Sequence, residues 1–234
     1  TATKPTRCCR VRAGRDMNCQ DWGGDKTMKT SITICVAALL TIVVGVPLLA
    51  PDEEGFVPMF NGKDLTGWEG KPGGWWVEDG AITSESTPEK PCVKHHYLYW
   101  RGGKPADFVM RFKYKLVGGN SGVQFRSQER PEFDTWGYQA DMEAGSEWTG
   151  CLFQHDRGGV AMRGKQAVIA EDGTRQETEF ALSSELQKAV KPNDWNDYEI
   201  FAQGSHVVLS INGKRMCEVD DRDAKWACKD GIIA

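Results

Sequence analysis

Apolar and polar side chains alternate with a period of two along much of this chain, which predicts strands buried on one face. Phe108, Met110, Phe112, Tyr114 and Leu116 alternate with Val109, Arg111, Lys113 and Lys115, giving a half-buried antiparallel strand. Residues 120–126 set Val123 and Phe125 against Gln124 and Arg126. Residues 137–143 set Tyr138, Ala140 and Met142 against Gln139, Asp141 and Glu143. Asp79-Gly80 and Asn212-Gly213 each stand between strand-like runs, at the positions where two-residue hairpin turns demand positive φ. Tyr198-Glu199-Ile200-Phe201 leads to Gly204, and a further strand follows from His206. One short helix is expected near residues 184–189, with Ser184 and Gln187 at capping-box spacing. Many short strands, frequent turns and almost no helix predict an all-β sandwich or barrel.

If the 120–126 and 137–143 strands pair, one sheet face carries Gln124, Arg126, Gln139, Asp141 and Glu143. Asp141 and Glu143 then sit roughly 7 Å apart along one strand, close enough to repel unless solvated or built into a site. Forked donors, amides and carboxylates together suit a polyhydroxylated ligand, and Arg126 could stabilise an oxyanion. The competing reading is a ladder of surface salt bridges. His155, about one strand further on, is the best-placed histidine; His95-His96 reads as surface. Among nine tryptophans, Trp136 and Trp148 flank the polar strand and are candidates for a sugar-stacking platform, with Asn120, Gln124 and Gln139 as hydroxyl-binding partners.

The ends of the chain have a different character. Met28-Lys29 precedes a largely apolar run over residues 32–50, which reads as a secretory signal peptide cleaved after Ala50, or as a retained membrane anchor. Export, to the periplasm or outside, is the expectation. Residues 1–27 then read as an upstream extension with Met28 as the true start. After Ala50 there are 22 Lys and Arg against 30 Asp and Glu, a balance of −8, which argues against nucleic acid as a partner. Four cysteines remain there, Cys92, Cys151, Cys217 and Cys228; an exported protein permits disulfides, with Cys217–Cys228 the favoured pairing. The run Asp230-Gly231-Ile232-Ile233-Ala234 looks like the start of a strand, so the domain is expected to continue beyond it.

Several ordered blocks resemble the 3-keto-disaccharide hydrolase domain, a bacterial family abundant in planctomycetes and Bacteroidetes, and mark a planctomycete-like member. They are Phe60-Asn61-Gly62-Lys63-Asp64-Leu65-Thr66-Gly67-Trp68, Trp76-Val77-Glu78-Asp79-Gly80, Gly119-Asn120-Ser121-Gly122-Val123 with Arg126, Gly137-Tyr138-Gln139-Ala140-Asp141, and Trp195-Asn196-Asp197-Tyr198-Glu199. The resemblance covers residues 55–234. It implies a concanavalin A-like jelly roll of two antiparallel sheets, and cleavage of glycosides oxidised at carbon 3.

In such a sugar the ketone acidifies the C2 proton and the glycosidic oxygen is β to the carbonyl. Base, enolate electrophile and acid for the leaving oxygen are therefore required. Asp141 or Glu143 would be the base and Arg126 the electrophile. A divalent metal ion on Asp141, Glu143 and His155 is the alternative electrophile. Two other function classes stay open: a non-catalytic carbohydrate-binding module of the same fold, and an ordinary two-carboxylate glycosidase, which neighbouring carboxylates on one strand suit less well.

Overall fold

The computed structural model describes residues 55–234 and the backbone of one N-terminal strand. In chain order the elements are β1 (Arg7–Arg12), β2 (Trp68–Gly70), β3 (Trp76–Glu78), β4 (Ala81–Thr83), β5 (Leu98–Trp100), β6 (Phe108–Val117), β7 (Asn120–Arg130), β8 (Asp134–Glu143), β9 (Leu152–Gln154), β10 (Gly158–Ala161), β11 (Lys165–Ile169), β12 (Arg175–Glu179), α1 (Ser183–Gln187), β13 (Asn196–Gln203), β14 (His206–Ile211) and β15 (Lys214–Asp221). The predicted signal or anchor segment and the proposed cleavage point lie outside the described residues. Among the described residues no helix is long and apolar enough to cross a membrane.

Two sheets make the expected β-sandwich. The larger runs β12-β11-β15-β14-β13-β6-β1-β4-β3, the smaller β10-β9-β8-β7, and a two-stranded ribbon β2-β5 stands apart. Their inner faces share one apolar cluster. It draws Met110, Phe112, Tyr114 and Leu116 from β6 and Ile200, Leu209 and Val219 from β13, β14 and β15 of the larger sheet, and Val123 and Phe125 from β7 and Tyr138, Ala140 and Met142 from β8 of the smaller. The period-two reading of β6, β7 and β8 therefore holds. Each strand puts its apolar set into this core.

The hairpin readings hold as well. Glu78 pairs with Ala81 across Asp79 (φ 51°) and Gly80 (φ 70°), and Ile211 with Lys214 across Asn212 (φ 49°) and Gly213 (φ 72°). Positive φ at both central residues is what lets a two-residue turn match strand twist. β1, from the segment read as an upstream extension, pairs antiparallel with both β4 and β6.

Three expectations are corrected. The sheets are not wholly antiparallel: β15 lies parallel to β11, Ala167 opposite Val219. The helix forms, but its capping box does not. Leu182 is the N-cap and makes no side-chain bond, while Ser183 accepts from Arg163. Cys217 and Cys228 are not bonded to each other; Cys92, Cys151, Cys217 and Cys228 are all free thiols. Cys217 packs in the core, and Cys228 Sγ instead accepts from Gln154 Nε2 at 3.2 Å.

Candidate functional site

β7 and β8 pair as their patterns predict, Gly122 opposite Asp141 and Gln124 opposite Gln139. β9 continues the sheet with Phe153 opposite Gln139. Opposed residues share a face, so the face turned away from the core carries Asn120, Gln124, Gln139, Asp141, Glu143 and Phe153. Two segments close over it. Residues 94–97 arrive through Tyr97, whose N–H donates to Phe133 O at 2.8 Å. The loop after β8 brings Trp148, whose ring meets Phe153 edge-on at 5.7 Å.

The polar groups form one directed chain. Ser127 Oγ donates to Gln124 Oε1 at 2.9 Å, Gln124 Nε2 to Gln139 Oε1 at 2.7 Å, and Gln139 Nε2 to Asp141 Oδ1 at 2.6 Å. Tyr97 OH adds a second donor to Gln139 Oε1 at 3.0 Å. Each amide thus has its orientation fixed from behind, and the chain ends with an N–H aimed at the carboxylate. Gln124 Nε2 also lies 3.4 Å from His155 Nδ1. An amide nitrogen can only donate, so Nδ1 accepts and the imidazole proton sits on Nε2.

Electrostatics single out Asp141. It is only 3% exposed. Burial pushes its carboxyl up to about 7, against the pull of the Gln139 hydrogen bond and with a smaller push from Glu143. A carboxyl that titrates near neutrality can both take and return a proton. Burial also holds His155 below its ordinary range and raises Tyr97 to about 12, so both stay neutral donors at pH 7.

Gln124, Gln139, Asp141, Glu143, His155 and Trp148 are thus brought to one region, with Asn120 at its exposed rim. Glu143 also supports the loop above it. Its Oε2 accepts from the N–H groups of Glu147 (3.2 Å) and Trp148 (2.9 Å), anchoring the segment that carries Trp148.

Two candidates are elsewhere. Arg126 does not face Asp141. The β7–β8 register shifts between Phe125 and Gln128, so Arg126 and Ser127 together oppose Gly137. A Cβ at Gly137 would fall 2.6 Å from Ser127 Cα, which is why glycine stands there. Arg126, at φ 47°, leaves the face and donates to Ala106 O and Gly204 O, each at 2.7 Å. Trp136 packs against the core and tilts onto Trp226, ring centres 6.2 Å apart, so it is no platform beside Asp141.

Nor do the residues fit the divalent metal ion. Among the described residues no group of three or more His, Cys, Asp and Glu is placed to hold one. His155 Nδ1 turns to the Gln124 amide and Glu143 Oε2 to loop amides, so Asp141, Glu143 and His155 do not form a ligand set.

Nothing in the sequence singles out Tyr97. It lies outside any alternating run, and only the cross-chain contact to Gln139 marks it.

The site leaves no room on the β7 side. A Cβ at Gly122 would lie 2.5 Å from Gln139 Cγ. Gly122→Ala is therefore expected to displace Gln139 from Asp141. Overpacking of this kind costs about 1–3 kcal/mol, readable as a lowered denaturation midpoint. Loss of the Gln139 bond also removes a group that lowers the Asp141 pKa. The acidic limb of any pH–rate profile should then move to higher pH.

Solved structures with similar chain paths include two Parabacteroides distasonis proteins described as candidate glycosyl hydrolases. One is 18% identical, covering 76% of this chain and 88% of its own, with a TM-score of 0.48. The other is 19% identical, covering 75% and 83%, with a TM-score of 0.44. The carbohydrate binding module CBM66 from Bacillus subtilis is 14% identical, covering 73% and 87%, with a TM-score of 0.40. No curated protein matches the chain. Residues 55–234 match the model of the 3-keto-alpha-glucoside-1,2-lyase-like domain, and the chain belongs to that family.

Proposed function

We propose that this protein cleaves the glycosidic bond of 3-keto-glycosides, with Asp141 as the proton-transfer group. The observation that carries this reading is the Asp141 carboxyl itself. It is buried, oriented by Gln139 at 2.6 Å and poised near pH 7, while Oδ2 has no hydrogen-bond partner among the described residues.

The chemistry follows from that placement. Ionised Asp141 takes the C2 proton, the C2–H electron pair forms an enolate on the C3 oxygen, and as the ketone reforms that pair makes the C1–C2 double bond and the C1–O bond breaks. The protonated carboxyl then returns its proton to the leaving oxygen, releasing the aglycone as an alcohol and leaving a 3-keto enone. Adding water, with OH to C1 and H to C2, completes hydrolysis. Charge that develops on the C3 oxygen needs a donor, and His155 Nε2–H is the neutral donor beside the amide chain, since the Tyr97 hydroxyl proton is already given to Gln139 Oε1. The Trp148–Phe153 pair offers an apolar surface for the sugar's C–H face.

Tyr97→Phe tests the amide chain. It removes one of the two donors that orient Gln139 and leaves the ring contact to His155. A turnover loss of about 10-fold, the worth of one hydrogen bond, with little change in stability is expected.

The reading as a whole is tested by mixing the protein with a 3-keto-glucoside and with its unoxidised parent, and following aglycone release. Release from the keto sugar alone supports it. Release from both sugars would point to an ordinary glycosidase. Saturable binding without release from either would point to a carbohydrate-binding module.

A further inference from the structure

A cleft lies apart from the chain of amides that ends on Asp141. It measures about 430 Å³ and opens between the β11–β12 turn and the loop after β15, lined by Arg157, Glu171, Asp172, Arg175, Lys225 and Trp226 among others. That volume is in the range of small-molecule sites, and no residue is shared with the Gln124–Asp141 chain.

Its walls are pre-organised. Asp223 Oδ1 accepts from the N–H groups of Lys225 (2.9 Å) and Trp226 (3.1 Å), and Gln154 Nε2 donates to Trp226 O at 2.7 Å. The Ala224 N–H donates to Glu171 O at 3.0 Å, tying the two rims together. Arg157 is locked against Asp221 and Asp223 from below. Groups held this way need little reordering to bind.

What the loop presents is a half-buried tryptophan with no place in the core. Trp136 packs on the apolar cluster, whereas Trp226 only leans on Trp136 and carries Lys225 Nζ 4.4 Å above its ring. Beside it acids outnumber bases. Arg157 is matched by Asp221 and Asp223, and Arg175 by Glu177. The Glu171 and Asp172 carboxylates and the Lys225 ammonium make no ion pair among the described residues. An anionic ligand would be repelled here. A ring with an apolar face and hydroxyl edges would find an aromatic plane, acceptors and donors.

We propose that this cleft is a second carbohydrate-binding site, taking one pyranose ring of a neutral saccharide whose C–H face replaces the Lys225 ammonium on Trp226 and whose hydroxyls meet Glu171 and Arg175.

The test is calorimetric titration of the intact protein with maltotriose and with cellotriose. Binding of at least one is expected, weakened about 10-fold by Trp226→Ala and by Glu171→Gln, and unchanged by Asp141→Asn. Glu171 is an exposed turn residue, so Glu171→Gln reads the site even if Trp226→Ala folds poorly. The proposal is overturned if neither saccharide binds, if both cleft variants bind as the parent does, or if Asp141→Asn abolishes the signal. Because the titration uses unoxidised sugars and no turnover, its result is independent of whether 3-keto-glycosides are cleaved.

Discussion

Asp141→Asn is expected to lower 3-keto-glycoside turnover by about 10²- to 10⁴-fold, the usual worth of a positioned acid–base group, while making the fold more stable at pH 8. The two effects share one cause. Burial raises the folded-state pKa from 3.8 to about 7. Below about pH 4 the carboxyl is protonated folded or unfolded, and burial carries no ionisation penalty. Between pH 4 and 7 the unfolded chain ionises first, so stability falls as pH rises and the loss is complete above about pH 7. A shift of that size corresponds to up to about 4 kcal/mol. Asparagine keeps an oxygen for Gln139 Nε2 and never ionises, so the variant avoids that loss. Denaturation midpoints at pH 4 and pH 8 should differ less for the variant than for the parent. The parent's kcat/KM should rise through a midpoint near pH 7, and the variant should lack that limb. A variant that is inactive but no more stable at pH 8 would remove the buried ionised carboxylate from the account.

The regular part of this site is legible in the sequence because strand chemistry is periodic. Gln124, Gln139 and Asp141 fall on one face by counting in twos, and Asp79-Gly80 and Asn212-Gly213 declare their turns by residue type. Periodicity also decides Trp136. It shares parity with Tyr138, Ala140 and Met142, so it belongs to the core side, and its nearness in sequence to the polar strand misleads. What cannot be counted is the β7 bulge. One extra residue opposite Gly137 breaks the alternation after Phe125, and nothing in Arg126 itself announces a φ of 47°. Tyr97 is illegible for a related reason. It comes from an irregular segment whose only pattern is tertiary: a backbone bond to Phe133 and a hydroxyl on Gln139, 42 residues away. Cys217 and Cys228 look like a pair by spacing, yet β15 carries one into the core and the chain beyond it takes the other to Gln154.

Arg126→Met is expected to cost about 3–5 kcal/mol of stability and to leave the chemistry of the folded fraction within a few-fold of the parent. The side chain is 1% exposed. Its guanidinium holds three separate stretches of backbone, donating to Ala106 O and Gly204 O at 2.7 Å and to Cys228 O at 3.3 Å, and it pairs with Asp107 Oδ1 at 3.2 Å. Asp107 Oδ1 also accepts from the Gly204 N–H at 2.8 Å, so the same contact fixes the β13–β14 turn. Methionine fills part of the volume but strands these acceptors. Each buried group left unpaired costs about 1–3 kcal/mol, and a loss of this size would lower the melting temperature by about 10 °C in a domain of this length. Lysine would keep the charge but could not reach all three carbonyls with its single ammonium, so Arg126→Lys should recover only part of the loss. Had Arg126 served the enolate, its removal would instead lower kcat by orders of magnitude in protein that is still folded. Turnover normalised to folded protein separates the two roles, and the position of the guanidinium, bonded to backbone behind the bulge, predicts the structural one.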